Sequence, residues 1–346
     1  MPIKIFNSRL LRNPSILGDL LLCIFIALIL QTPNLLFYGS LRLLFIELAT
    51  VTASLLFGKA LLKLMIGQKN YSNYEAITVG YLTASIFSAI FVFIFSCDPI
   101  FSLFPILILY IYFLFINQVG LKRGKKNTGI YTPSFYTLLS VFIVVSIYSQ
   151  VPIYDAIKSL SPQGGVFPLH IDLLFQGGTL HQMARGNIYG QQFAYGIEPI
   201  FYHYGIFGLP SIFVSQLNLR GIDVLLDWTI PFGVVLLGLC IVDFASGISK
   251  NRVTIFLSPF ILLIPDASRY LYDGLFDAHY LFLASPGSLY GAAISLLIIK
   301  YFNKVTSDRT YLIYIVFLLF ILFNTRFHFF VLIFIYIALD IFFKII

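Results

Sequence analysis

The sequence predicts an all-α polytopic integral membrane protein of about ten transmembrane helices, between about nine and eleven, with one large extracytoplasmic loop that contains interfacial helices. Three observations carry this prediction. Of the 346 residues, 59% are hydrophobic and 11% are charged, whereas a soluble domain carries about 25% charged residues; the mean hydropathy is +0.92. Apolar runs of membrane-crossing length recur along the whole chain. The basic residues fall on alternate sides of those runs. This composition excludes a water-soluble enzyme, a disordered chain and a nucleic-acid partner.

The runs lie near 15–32, 41–63, 76–97, 100–118, 133–150, 222–244, 253–266, 286–303, 310–324 and 328–344. Lys4, Arg9 and Arg12 precede the first run and imitate a signal peptide. No A-x-A-like cleavage site follows, so that run is read as an uncleaved span. The stretch from Ile206 to Leu217 is apolar but too short to cross, and is read as dipping into the outer interface. The organisation is then a five-span module over 1–150, a loop with interfacial helices over 151–221, and a second five-span module over 222–346. Cys23, Cys97 and Cys240 lie in or beside apolar runs and form no disulfide framework.

A cytoplasmic N-terminus places 16 of the 22 basic residues on the inner side. It leaves Arg42, Lys158, Arg185, Arg220, Arg269 and Arg326 outside. That asymmetry predicts a multi-pass protein of the cytoplasmic membrane with this orientation. All five histidines then fall on or near the outer face, with most of the acids. The acids within spans (Asp19, Glu47, Asp227, Asp243, Asp340) lie toward span ends, which argues against a proton-coupled path through the bilayer. No GxxxxGK[ST], GxSxG, HExxH or CxxC is present.

Chemistry-bearing residues concentrate in the long loop. Around His170, Asp172, Gln176, His181 and Arg185, the apolar residues Ile171, Leu174, Phe175, Leu180 and Met183 suit an amphipathic helix on the membrane surface. Gly177 and Gly178 weaken its middle. Asp172 and Gln176 share a face. A carboxylate at the bilayer edge is partly desolvated and more basic, which suits it to deprotonating a hydroxyl; a polar face that simply meets water fits the same spacing. Glu198-Pro199-Ile200-Phe201-Tyr202-His203-Tyr204-Gly205 closes the loop. Its aromatics suit either an interfacial belt or a sugar site, where His donates to sugar or phosphate oxygens.

A third cluster runs from Asp266 through Arg269, Asp273 and Asp277 to His279. Arg269 with Asp273 makes an ordinary ion pair on one helix face; Asp273, Asp277 and His279 are alternatively ligands for a hard divalent cation, Mg or Mn. Arg326 and His328 sit at the outer end of the last two spans. A guanidinium at that depth either snorkels to headgroups or holds a lipid phosphate.

The order Asp172-x-x-Phe175, then Tyr202-His203-Tyr204-Gly205, then Ser285-Pro286 opening a span, resembles the GT-C glycosyltransferase superfamily. The resemblance covers roughly 150–346, and its motifs are short. Gln176 stands where the family phrase usually has His, and four additional spans precede the loop. The chain reads as a minimal member or a piece of a longer one. The resemblance implies an inverting glycosyltransferase using a polyprenyl-phosphate-linked sugar, with a glycan, lipid or protein acceptor and membrane lipids as its surroundings. It gives Asp172 the catalytic base. His170, Gln176, Tyr202, His203, Tyr204, Arg269, Arg326 and His328 line the substrates, and a divalent cation is compatible without being required. Two rivals stand beside it. A polysaccharide polymerase or ligase would rely on loop Arg and His, such as Arg185. A glycan or lipid flippase or envelope-assembly subunit would need a polar path through the spans.

Overall fold

The computed structural model describes residues 14–37, 41–67, 71–120, 138–146, 171–187, 204–263, 286–305, 308 and 310–345. Among them every regular element is helical. The helices are α1 (Pro14–Phe37), α2 (Leu41–Ile66), α3 (Asn73–Phe95), α4 (Leu103–Gly120), α5 (138–146), α6 (Ile171–Ala184), α7 (Gly208–Leu217), α8 (Gly221–Ile248), α9 (Arg252–Leu263), α10 (Gly287–Phe302), α11 (Thr310–Thr325) and α12 (Phe327–Ile345). Among the described residues four segments are long and apolar enough to cross a membrane: Leu44–Ile66, Asn73–Phe95, Pro99–Ile116 and Gly221–Ile248. The other apolar helices, including α7, α9, α10 and α11, are shorter. This is a helical membrane protein.

Local sequence sets the helix starts. Ser72-Asn73-Tyr74-Glu75 has the capping-box pattern, and Ser72 Oγ accepts the Glu75 N–H at 3.1 Å, while the Glu75 carboxylate turns elsewhere. Asp98 accepts the Ile100 N–H at 2.9 Å, and Pro99 fills the first position of the 3₁₀ turn that leads into α4. Asn251 accepts from Val253 N at 2.9 Å to start α9. Helix α8 is interrupted over Leu225–Thr229 by a π turn, in which the Ile230 N–H reaches the Leu225 carbonyl.

Close helix approach depends on small residues, as expected where lipid offers no hydrophobic drive between helices. A Cβ on Gly80 of α3 would lie 2.0 Å from the Ser54 carbonyl oxygen of α2, and one on Gly58 of α2 would lie 1.8 Å from the Ala76 carbonyl oxygen. Helix α7, read from sequence as interfacial, packs Gly208 through Val214 in the protein interior against α3. Ser102 Oγ donates to Ser88 Oγ at 2.6 Å, and Leu209 N donates to Ser85 Oγ at 3.2 Å.

Aromatic side chains fill the centre of the bundle. Tyr81 stacks on Tyr290 with centroids 5.9 Å apart, and Phe232 meets Tyr81 edge-on at 4.6 Å. Their polar tips are satisfied, as buried Tyr and Trp require. Trp228 Nε1 donates to Tyr81 Oη at 3.2 Å, and Tyr290 Oη donates to the Thr229 carbonyl at 2.6 Å, beside the π turn. Outside this core, most of α4 and α12 presents Phe, Leu and Ile outward, with Phe104 and Phe343 both about 70% exposed, a lipid-facing surface.

The two ends of the bundle differ in charge. At one, the lysine end, the start of α3 and the ends of α8 and α10 bring together Glu75, Asp243 and Lys300, while Asp19 of α1 pairs with Lys59 of α2. At the opposite end, the arginine end, lie Arg185, Arg220 and Arg326 with α6, α7 and the starts of α8, α10 and α12.

Candidate active site

The site is at the arginine end. Helix α6 forms through Gly177 and Gly178, and the reason is packing. A Cβ on Gly177 would come within 2.9 Å of Ile222 Cα, and one on Gly221 within 2.0 Å of the Gly177 carbonyl oxygen. The glycines that weaken α6 as an isolated helix let it cross the start of α8 in near backbone contact. Beyond α6, Gly186 adopts φ +73° and lies against Cys97, two residues past α3, so α6 is held at its middle and just past its C-terminal end.

Asp172 occupies the first turn of α6, and Gln176 follows one turn later, half-buried. The side chains of residues 171–174 lie outside the described set. His181, also half-buried, is held below its ordinary pKa by burial and then by the Arg185 guanidinium, which favours the neutral imidazole. Arg185 is exposed.

On the other side of α7, three short elements meet. Tyr204, Gly205 and Ile206 make a 3₁₀ turn. A Cβ on Gly205 would sit 2.7 Å from the Asn324 carbonyl oxygen of α11 and from Ile86 of α3. One on Gly287, at the start of α10, would sit 3.1 Å from the Thr325 carbonyl oxygen, 3.7 Å from Arg326 Cδ and 3.8 Å from Ile206 Cδ1. Arg326 stands at the break between α11 and α12, only 7% exposed. Its N–H donates to the Leu322 carbonyl at 2.8 Å, and its Cβ crowds Gly291 one turn into α10. Tyr204 is half-buried, and burial pushes its phenol pKa up, keeping it a proton donor. Ser288 Oγ, in the first turn of α10, is fully buried with no hydrogen-bond partner among the described residues.

The uncapped start of α10, the Arg326 side chain beside it and the unpartnered Ser288 hydroxyl make a setting for an anion. His328 is exposed on the same corner. His170, Tyr202, His203, Arg269, Asp273, Asp277 and His279 lie outside the described residues. Among the described residues no group of three or more His, Cys, Asp or Glu is placed to hold a metal ion.

Sequence reading missed two features. Asp98, counted there among the outer ionisable groups, is a helix cap that also accepts from Ser215 Oγ at 2.7 Å. Glu75, one residue before the run at 76–97, was passed over, although it is the most enclosed acid of the lysine end. The one signal in the sequence was a capping-box glutamate running straight into an apolar span. Comparison with known proteins finds no matching protein family, no matching curated protein and no matching solved structure.

Proposed function

We propose that this chain is a membrane glycosyltransferase that moves a sugar from a polyprenyl-phosphate-linked donor to a glycan, lipid or protein acceptor. The lysine end faces the cytoplasm and the arginine end the opposite side of the cytoplasmic membrane. The observation that carries the proposal is the meeting of Tyr204-Gly205, Pro286-Gly287 and Arg326 around the start of α10. These segments are roughly 80 and 120 residues distant from the first of them in sequence, and include the described residues of two of the three phrases on which the family resemblance rests, Tyr204-Gly205 and Pro286.

In the reaction, the acceptor hydroxyl attacks the anomeric carbon and passes its proton to the Asp172 carboxylate. The bond from that carbon to the phosphate oxygen breaks, and its electron pair leaves with the lipid phosphate, so the configuration inverts. Arg326, the start of α10 and Ser288 balance the charge that develops on the leaving phosphate. Tyr204, with Tyr202 and His203, forms the sugar wall. Gln176, one turn further along α6, binds substrate through an amide that takes no proton itself.

The test is release of lipid phosphate by the purified full chain from a panel of polyprenyl-phosphate sugars, with and without EDTA. Asp172→Ala should cut release by about 10²–10⁴-fold, and Arg326→Gln by about 10²-fold, with both proteins still folded. Full activity in Asp172→Ala, or no release from any donor by the folded parent, would overturn the proposal. Loss that follows Arg185→Ala and spares Asp172→Ala would point to the polymerase or ligase chemistry.

A further inference from the structure

The lysine end carries a cluster that the proposed reaction does not use. Glu75 of α3 is fully enclosed and accepts three donors: Tyr301 Oη of α10 at 2.8 Å, Tyr314 Oη of α11 at 2.9 Å and Lys300 Nζ of α10 at 3.4 Å. These donors reach both carboxylate oxygens of a side chain enclosed away from the surface. Lys300 Nζ also donates to Asp243 Oδ2 of α8 at 2.5 Å. One lysine therefore serves two acids on two helices. It does so from the rim, with 19% of its side chain exposed against 0% for Glu75 and 9% for Asp243. A second cation, Lys304 Nζ, stands 4.7 Å over the Tyr301 ring and 5.9 Å from that of Tyr311. The separate Asp19–Lys59 pair, with Asn73 Nδ2 donating to Asp19 Oδ1 at 2.9 Å, ties α1, α2 and α3 at the same end.

We infer that Glu75, Asp243 and Lys300 form a charge latch that holds the lysine ends of α3, α8 and α10 together, and that removing the charge of Lys300 opens a path between these helices. Helices α3, α8 and α10 meet there through this one shared ammonium rather than through apolar contact alone. A buried ion pair contributes little net stability compared with an apolar replacement, but losing one partner strands the other charge in a low-dielectric site. The closed state is therefore sharply dependent on the complete set, which is the property of a latch rather than of ordinary packing. One turn deeper, Thr78 Oγ1 of α3 and Cys240 Sγ of α8 lie 3.5 Å apart, across the seam that the latch closes. Behind them is the aromatic centre of Tyr81, Trp228 and Tyr290.

Two native thiols make the test internal. Cys240 is 1% exposed beside the latch, and Cys23 is 1% exposed near the independent Asp19–Lys59 pair. In the full chain carrying Cys97→Ser, the rate of N-ethylmaleimide addition at each thiol is read by mass spectrometry, in detergent and in vesicles. Lys300→Met and Lys300→Gln, each of which strands both carboxylates, should raise the rate at Cys240 on the order of a hundredfold. Cys23 should keep the parent rate, and Lys300→Arg should keep Cys240 protected. Lys300→Gln keeps a hydrogen-bonding side chain, so it gives the comparison even if Lys300→Met does not accumulate. Protection of Cys240 in both charge-removing variants would overturn the latch. So would equal loss of protection at Cys23, because that means the whole bundle loosens.

Discussion

Single residues carry more than the composition announces. His181 lies on α6 within contact of the start of α8, where burial and then Arg185 favour its neutral form. A histidine whose folded pKa is depressed contributes stability that is complete above its unfolded value of 6.5 and is lost as pH falls through the folded one. Amide exchange along α6 should therefore quicken as pH drops below 6.5, after correction for intrinsic rates, while His181→Gln should flatten the profile. Unchanged pH dependence in that variant would remove His181 from the docking of α6. At this scale the sequence was uneven. Asp172, Tyr204 and Arg326 could be singled out because their residue types suit acid–base, stacking and phosphate chemistry and their chain positions are visible in one dimension. The role of Glu75 was not, because its partners at 243, 300, 301 and 314 become neighbours only when four helices pack.

Helices themselves were readable from apolar length, and most runs match a helix within a few residues; the run at 253–266 becomes the short α9, part 3₁₀. What could not be read is which faces meet. Gly177 and Gly178 look like flaws in α6 until Ile222 and Gly221 lie across them. Gly58 and Gly80 give no warning that α2 and α3 touch backbone to backbone. Gly80→Val should lower stability by about 2 kcal/mol or more, because added methyls must part the two helices. Gly247→Ala, where nothing lies within 4 Å of the added carbon, should be neutral or slightly stabilising. Thermal unfolding of both variants in detergent checks the pair, and equal midpoints would refute the close-packing account.

The whole molecule has one apolar belt and two unlike ends. Sequence charge counting puts Lys59 and Lys300 on the inner side, within their apolar runs; in the structure they lie on helices and are paired with acids. The orientation can be measured directly: alkaline phosphatase fused after Gly67 should be inactive and after Ser96 active, and the reverse pattern would invert the protein. Helix α8 runs from one end to the other, with the contact to α6 at Gly221 and the tie to Lys300 at Asp243. The π turn over Leu225–Thr229 lies between them. Such a turn amounts to one residue inserted in the helix, and one residue is about 100° of rotation. It thus sets the phase of one terminus against the other. Deleting a residue there would leave Gly221 facing α6 but swing Asp243 away from Lys300, so the chain's two ends are registered to each other by a single amino acid.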